Sequence, residues 1–353
     1  MAWREMRTLL GALLLLPPLL AIPATAPAAD ELRFLTWADY ISPEVIAKFE
    51  RESGHHITIV PVDSGDKLLD GLRDNKPGDL DLGNPLDHHM PPLIKEGKLE
   101  RIDADTLAHY SAIDEPWRRP PYDRNNSYSV PLHWGTTSFV VDTALYKGDI
   151  DSYRLLFDPP PELKGRVSFL IGAPEVIRMA LMYLGLPSCT TDAGEVQKAL
   201  DLIRASVNPK LVTTIEDNIE RFSGSEIGAG VVWNGDALRA RAAKPSLRYA
   251  YPKEGVLVWA DALVVPKGAP HKAAALAFLD FMLRPENAAL QTNYNHYANS
   301  IRDSDALLTP EIAEAPEVIV RSSAKILYLS YCGSDVYNRY ERAYNDVLGR
   351  KAP

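Results

Sequence analysis

A two-lobed α/β fold is what this sequence predicts, and three observations carry the prediction. Short apolar strands alternate with amphipathic helices from Leu32 onward, the pattern of a mostly parallel sheet flanked by helices. The pattern starts afresh after a β-branched run at Thr136–Val141. A length of 353 residues is enough for two domains of ordinary size. With 46% apolar and 24% charged residues the chain has a globular balance, which excludes a disordered protein. The net charge of −9 weighs against a nucleic-acid partner and toward cations or neutral solutes.

Residues 1–28 read as a secretory signal peptide. Arg4 and Arg7 supply a positive start, and Leu9–Ile22 is an apolar run broken by Pro17-Pro18, too short for a comfortable membrane span. Ala26-Pro27-Ala28 is an A-x-A cleavage site, so the mature chain is expected from Ala29, exported to the periplasm and soluble. No cysteine follows to carry a lipid anchor. Cys189 and Cys332 are compatible with one disulfide in an oxidising compartment and equally with two distant buried thiols.

In chain order, Leu32, Phe34 and Leu35 form a strand ending in Trp37-Ala38-Asp39-Tyr40. Ser42-Pro43-Glu44 then opens a helix with a capping hydroxyl, a proline at the first helical position and an acid in the first turn. Val45, Ile46 and Phe49 share its apolar face and Gly54 stops it. His56–Val60 alternates as a strand. Ser64-Gly65-Asp66 turns into a helix carrying Leu68, Leu69 and Leu72. Asp79–Leu82 is a short strand, with Asp87-His88-His89 beyond its carboxyl end, and Leu93 and Ile94 belong to a helix ending at Gly97. Residues 120–126 form a loop, and the strand at Thr136–Val141 crosses into the second lobe.

There Val167–Ile171 is a strand, and Pro174-Glu175 opens a helix with Val176, Ile177, Ala180, Leu181 and Leu184 expected to face inward and Gly185 as its stop. Asp192 and Glu195 form a capping box. Ile227–Val232 is a buried strand ending in Trp233-Asn234-Gly235-Asp236. Arg248–Tyr251 and Val256–Val258 are expected to pair as a hairpin. Trp259-Ala260-Asp261 follows, before a strand at Ala262–Val265. Helices at Lys272–Leu283 and Pro285–Asn293 lead to a polar aromatic loop containing Tyr297, and Tyr337, Tyr340, Tyr344 and Val347 mark one face of a terminal helix.

Three tryptophan–acid pairs therefore fall at expected strand ends: Trp37/Asp39, Trp233/Asp236 and Trp259/Asp261, in a chain with six tryptophans. Carboxyl ends of strands are where open α/β sheets bind ligands. Rings packed on methylenes, with carboxylates against ammonium groups, make a slot for an elongated organic cation. Tyr40, Tyr297 and Glu175, with Asp87 and His88, could join it. Read instead as core rings and helix caps, the same side chains would need no ligand.

At this point the chain resembles the spermidine/putrescine-binding proteins of polyamine ABC transporters. The matching stretches are Thr36–Pro43, Tyr128–Pro131 with Trp134-Gly135, Val231–Asp236, Pro252–Gly255, Trp259–Asp261, Leu283–Glu286 and Tyr297–Asn299. The resemblance implies a periplasmic solute-binding protein whose two lobes close on a polyamine in the cleft between them and deliver it to a membrane permease. Aromatics matching Trp37, Tyr40, Trp233, Trp259 and Tyr297 would line the slot, and acids matching Asp39, Glu175, Asp236 and Asp261 would hold the amines. Asp39 and Asp236 are more similar to putrescine-preferring members. Residues 29–138 plus 260–304 would form lobe 1, and 139–259 plus 305–353 lobe 2. A monomer without cofactor or metal is expected.

The chain departs from that family at Leu86, Asp87 and His88, where a small hydroxyl residue and an aromatic are usual. It departs also at Gly172, where spermidine-preferring members carry an acid, and Ser330-Tyr331 lies near a family amide. One end of the slot is therefore remodelled, and another organic cation or a sensory role on the same fold is the alternative. An enzyme using Asp39 and Asp261 as an acid/base pair on a sugar is disfavoured, since neither G-x-S-x-G nor a phosphate loop occurs. A metal site at Asp87, His88, His89 and His296 is disfavoured because adjacent histidines on a strand point apart.

Overall fold

The first strand, β1 (Glu31–Trp37), alternates between exposed and buried residues over its first four positions and is then buried from Phe34 to Thr36. The computed structural model that contains it describes residues 30–170, 174–214, 217–318, 324–328 and 332–349. The expected leader, Gly172 and Ser330-Tyr331 lie outside the described residues. The remaining strands are β2 (His56–Val62), β3 (Leu82–Gly83), β4 (Ser129–Asp142), β5 (Val167–Ser168), β6 (Ala229–Trp233), β7 (Leu247–Tyr249), β8 (Val256–Val264) and β9 (Ile326–Tyr328).

Helix α1 (Pro43–Ser53) begins as its sequence dictates. The Ser42 hydroxyl accepts from the Val45 amide, and Gly54, at φ 78, ends it in the left-handed conformation. The helices that follow are α2 (Gly65–Arg73), α3 (Met90–Lys95), α4 (Arg154–Phe157), α5 (Glu175–Tyr183), α6 (Ala193–Ser206), α7 (Asn218–Ser223), α8 (Asn234–Ala243), α9 (Lys272–Met282), α10 (Pro285–Asn295), α11 (Pro310–Ala313) and α12 (Ser334–Val347). Asp192 caps α6, its carboxylate accepting from the Glu195 amide at 2.9 Å.

The nine strands join one sheet in the order β2-β1-β3-β8-β4-β6-β5, with β7 along β4 and β9 along β8. Pairing is parallel within β2-β1-β3, between β5 and β6, and between β8 and β9. It is antiparallel where β8 meets β3 and where β4 meets β8, β6 and β7. The strand–helix alternation is thus kept at the outer strands, while two long strands run antiparallel through the middle.

Four local expectations are corrected. β7 and β8 do not form a hairpin. Both lie antiparallel to β4 along the same edge, β7 against Val140–Asp142 and β8 against Ser129–Thr137, so they run end to end in one direction. Trp259 and Asp261 are consequently not at a strand end. β8 passes through both without a break, paired along β4 with one register shift between Pro131 and His133. Asp87–His89 is a 3-10 turn and not an extended segment, and the two imidazole rings lie 4.3 Å apart instead of pointing away from each other. Leu184 does not face inward with the rest of its helix: it lies at the end of α5 and is exposed.

The apolar interior divides into two large clusters. One gathers residues from Leu32 to Leu132 with Val258 to Ile301 and includes Phe34, Phe49 and Phe278. The other gathers residues from Phe139 to Leu257 with Trp259, Tyr297, Tyr340 and Tyr344. β4 and β8 supply residues to both. α12 docks on the second cluster, where the Tyr344 hydroxyl donates to the Leu170 carbonyl at 3.0 Å and the Tyr340 hydroxyl to the Thr190 carbonyl at 2.8 Å. A disulfide, Cys189–Cys332, ties the start of that helix to the loop before α6.

That bridge closes a separation of 143 residues, a long loop for the unfolded chain. Replacing both cysteines by serine is expected to lower stability by about 2–5 kcal/mol, read from chemical denaturation at constant slope. An unchanged midpoint would contradict this role.

Candidate functional site

The central pair of strands sets the site. In the β4–β8 register His133 lies opposite Asp261, and Gly135 opposite Trp259, so each pair projects to the same side of the sheet. The loop after β1 brings Tyr40 to them. Its hydroxyl donates to Asp261 Oδ2, and His133 Nε2 lies 2.5 Å from the same hydroxyl. Tyr297, just past α10, stacks on His133 with ring centres 5.8 Å apart, and Trp259 meets Tyr297 edge-on at 4.9 Å. A side chain at Gly135 would collide with the Trp259 ring and Asn234 Oδ1, so this wall requires glycine there.

Of these groups only Tyr40 is half-buried; the others are buried. Asp261 and His133 are buried, and burial, reinforced by the Asp261 charge, pushes the Tyr40 hydroxyl well above its ordinary value. Tyr297 is raised by burial and then by the Asp236 charge. Both phenols therefore stay protonated and available as donors.

Asp236, in the first turn of α8, is already engaged. Asn218 Nδ2 donates to it at 2.7 Å and Arg239 forms an ion pair with its other oxygen. Trp233, the last residue of β6, is half-buried beside it.

The second group lies at the start of α5. Glu175 is buried and accepts from Thr137 Oγ1 at 3.0 Å. Burial raises its carboxyl, opposed by the helix backbone, Thr137 and His88. One turn on, Arg178 donates to the Tyr328 carbonyl at 3.2 Å; burial lowers it, opposed by the charges of Glu175 and Asp87. Asp87 Oδ1 contacts His88 Nδ1 at 3.3 Å, and the His88 ring stacks on Tyr337 of α12 at 3.8 Å. Three buried carboxylate oxygens have no hydrogen-bond partner among the described residues: Asp87 Oδ2, Glu175 Oε2 and Asp261 Oδ1. A buried carboxylate oxygen without a donor is costly, so each is a natural seat for a cationic donor.

The structure brings Tyr40, Trp259, Asp261 and Tyr297 together, joins Asp236 to them through Tyr297, and assembles Asp87, His88 and Glu175 as the second group. Trp37 and Asp39 stand apart. They line a surface groove of about 520 Å³ with Ile46, Ile59 and Tyr294, and Asp39 is exposed. Among the described residues no hydrogen bond or ring contact links either to the buried cluster. Tyr40 borders both places.

Sequence reasoning missed His133, Arg178, Arg239 and Asn295. A signal existed for Arg178, an arginine on an otherwise apolar helix three residues after a buried acid. None existed for His133, whose role depends on β4–β8 register.

Compared with known proteins, residues 44–319 match the family model described as bacterial extracellular solute-binding protein. The spermidine/putrescine-binding periplasmic protein of Escherichia coli is 32% identical over 299 residues, covering 83% of this chain and 85% of that protein. A putrescine/agmatine-binding protein of Pseudomonas aeruginosa is 30% identical over 311 residues, covering 82% and 84%. A Listeria monocytogenes structure ascribed to a spermidine/putrescine ABC transporter superposes with a TM-score of 0.81 at 26% identity, over 90% of this chain and 99% of its own.

Glu341, on α12 one turn beyond Tyr337, is pushed up to about 7 by burial first and by the Asp66 charge second, with His88 opposing. A carboxyl raised in the folded state leaves stability intact while it is protonated in both states, and costs more as pH climbs from the ordinary 4.5 to about 7. Glu341→Gln should therefore gain on the native protein as pH rises through that window and match it below. Denaturation midpoints of both proteins at the two ends would test this; a gap independent of pH would refute it.

Proposed function

The chain belongs to the bacterial extracellular solute-binding protein family, and we propose that within it this protein captures a small dication of the putrescine class. The observation that carries the proposal is the charge balance of the buried groups. Asp87, Glu175, Asp236 and Asp261 face two guanidiniums, Arg178 and Arg239. Taken by themselves, these four acids and two guanidiniums leave two negative charges to be met, and among the described residues unpartnered carboxylate oxygens stand in both groups, Asp261 in one and Asp87 and Glu175 in the other. An α,ω-diamine meets both, and its methylenes suit the rings of Tyr40, Trp259 and Tyr297. A triamine would bring one charge too many.

The names of the relatives support a polyamine and an ABC transporter as the partners. The two core clusters support lobes at 29–138 plus 260–304 and 139–259 plus 305–353. Ligand would bridge them and favour the closed state by a hinge motion where β4 and β8 cross. Residues 1–28 would direct export to the periplasm, and the protein would act there as a monomer, without a cofactor, delivering its ligand to a membrane permease.

A second reading, agmatine or another amine with a guanidinium end, is favoured by the Leu86–His88 departure and by the Pseudomonas relative.

Calorimetric titration of the mature protein with putrescine, agmatine, spermidine and a butanediol of putrescine's length tests the proposal. Putrescine should bind with a Kd of about 1 μM or tighter, near −8 kcal/mol, with spermidine weaker and the diol silent. Diol binding equal to that of the diamine would defeat the charge argument, and tighter spermidine binding would defeat the dication assignment.

Asp261→Ala should cost more affinity than Asp87→Ala. Asp261 is held by Tyr40 and His133 at the ring-lined end, whereas Asp87 shares its end of the site with Glu175. Equal losses in the same titration would remove that ranking.

A further inference from the structure

Around His133 the hydrogen bonds have a direction. The Tyr297 amide donates to Asn295 Oδ1 at 3.1 Å, which fixes the orientation of that side-chain amide. Asn295 Nδ2 therefore faces His133 Nδ1, at 3.3 Å. An amide nitrogen only donates, so Nδ1 accepts, and the neutral ring carries its proton on Nε2. That N–H meets the Tyr40 oxygen at 2.5 Å, and the Tyr40 hydroxyl passes its own proton toward Asp261 Oδ2. Asp261 Oδ1 is left without a partner among the described residues.

We propose that Asn295, His133 and Tyr40 form a one-way hydrogen-bond relay that holds Asp261 by one oxygen and presents the other to the ammonium group of the ligand. His133 and Asn295 are positioning residues: neither contacts the ligand, and both decide which oxygen is offered. This rests on the amine-binding reading above. The relay also keeps His133 uncharged, since a second proton on Nδ1 would point at the Asn295 amide donors. An imidazolium there would compete with the ligand for Asp261, 3.3 Å away. The titratable and charged groups facing His133 are Tyr40 from the loop after β1, Asp261 from β8 and Tyr297 after α10, with Asp236 and Arg239 of α8 behind Tyr297.

Asn295→Asp reverses the relay, because a carboxylate accepts from Nδ1–H and stabilises the imidazolium. Putrescine affinity of the native protein should change less than about twofold between pH 8 and 6, whereas that of Asn295→Asp should fall about tenfold or more over the same range. His133→Leu should weaken binding at every pH, and His133→Gln, whose amide can still donate to Tyr40, should recover most of that loss. Independently of any ligand, nitrogen NMR of the native protein should find His133 as the neutral tautomer protonated on Nε2. Parallel pH profiles for native and Asn295→Asp proteins, or a proton on Nδ1, would overturn the relay. A native protein that binds no amine while His133 shows the expected tautomer would instead overturn the functional reading and leave the hydrogen-bond order standing.

Discussion

Asp261 is a carboxylate placed in the middle of the longest strand pairing in the sheet, with essentially no access to water. Burying a charge there is tolerable only if donors surround it. Tyr40 arrives from the first strand's loop, His133 from the facing strand, and Asn295 and Tyr297 from the end of α10 to orient that imidazole. Distant parts of the chain converge on one side chain, and the stacking of Tyr40, His133, Tyr297 and Trp259 follows from that convergence. Gly135 belongs to the same constraint, since only a residue without a side chain leaves the Trp259 ring its place.

The other end of the site is governed by different physics. There the acids of Asp87 and Glu175 lie within reach of Arg178, and the rings of His88 and Tyr337 stack. Tyr337 is supplied by the terminal helix, which the disulfide and the hydroxyls of Tyr340 and Tyr344 hold down. This wall thus depends on a tail anchored far from it in sequence. Strand pairing sets the geometry around Asp261, whereas helix docking sets that around Glu175.

The buried charges divide into those already answered inside the protein and those left open. Asp236 has both a guanidinium and an amide, Arg239 and Asn218, as partners. Among the described residues, Asp261, Glu175 and Asp87 each keep one oxygen without a partner. Acids placed alike in the sequence thus differ in whether the surrounding chain has already satisfied them.

Much of this was written in the sequence. The cap at Ser42-Pro43, the Gly54 stop, the Asp192 capping box, the tyrosine face of the last helix and the alternation of strands and helices are local features, set by propensity and spacing within a few residues. Tyr40, Asp261, Trp259 and Tyr297 stood out as rings and acids close together in the sequence, and the structure brings them into one buried cluster, although Trp259 and Asp261 lie within a strand and not at its end. What the sequence could not decide was long-range register. Whether β7 pairs with β8 or precedes it end to end along β4 depends on which edge is open, and that edge belongs to a strand far earlier in the chain. The same register alone sets His133 opposite Asp261. It was also the tertiary structure that separated Trp37 and Asp39 from the buried cluster, although their spacing equals that of Trp259 and Asp261. Identical spacing in a turn and in a paired strand projects side chains differently, because backbone pairing, not sequence distance, sets where they point.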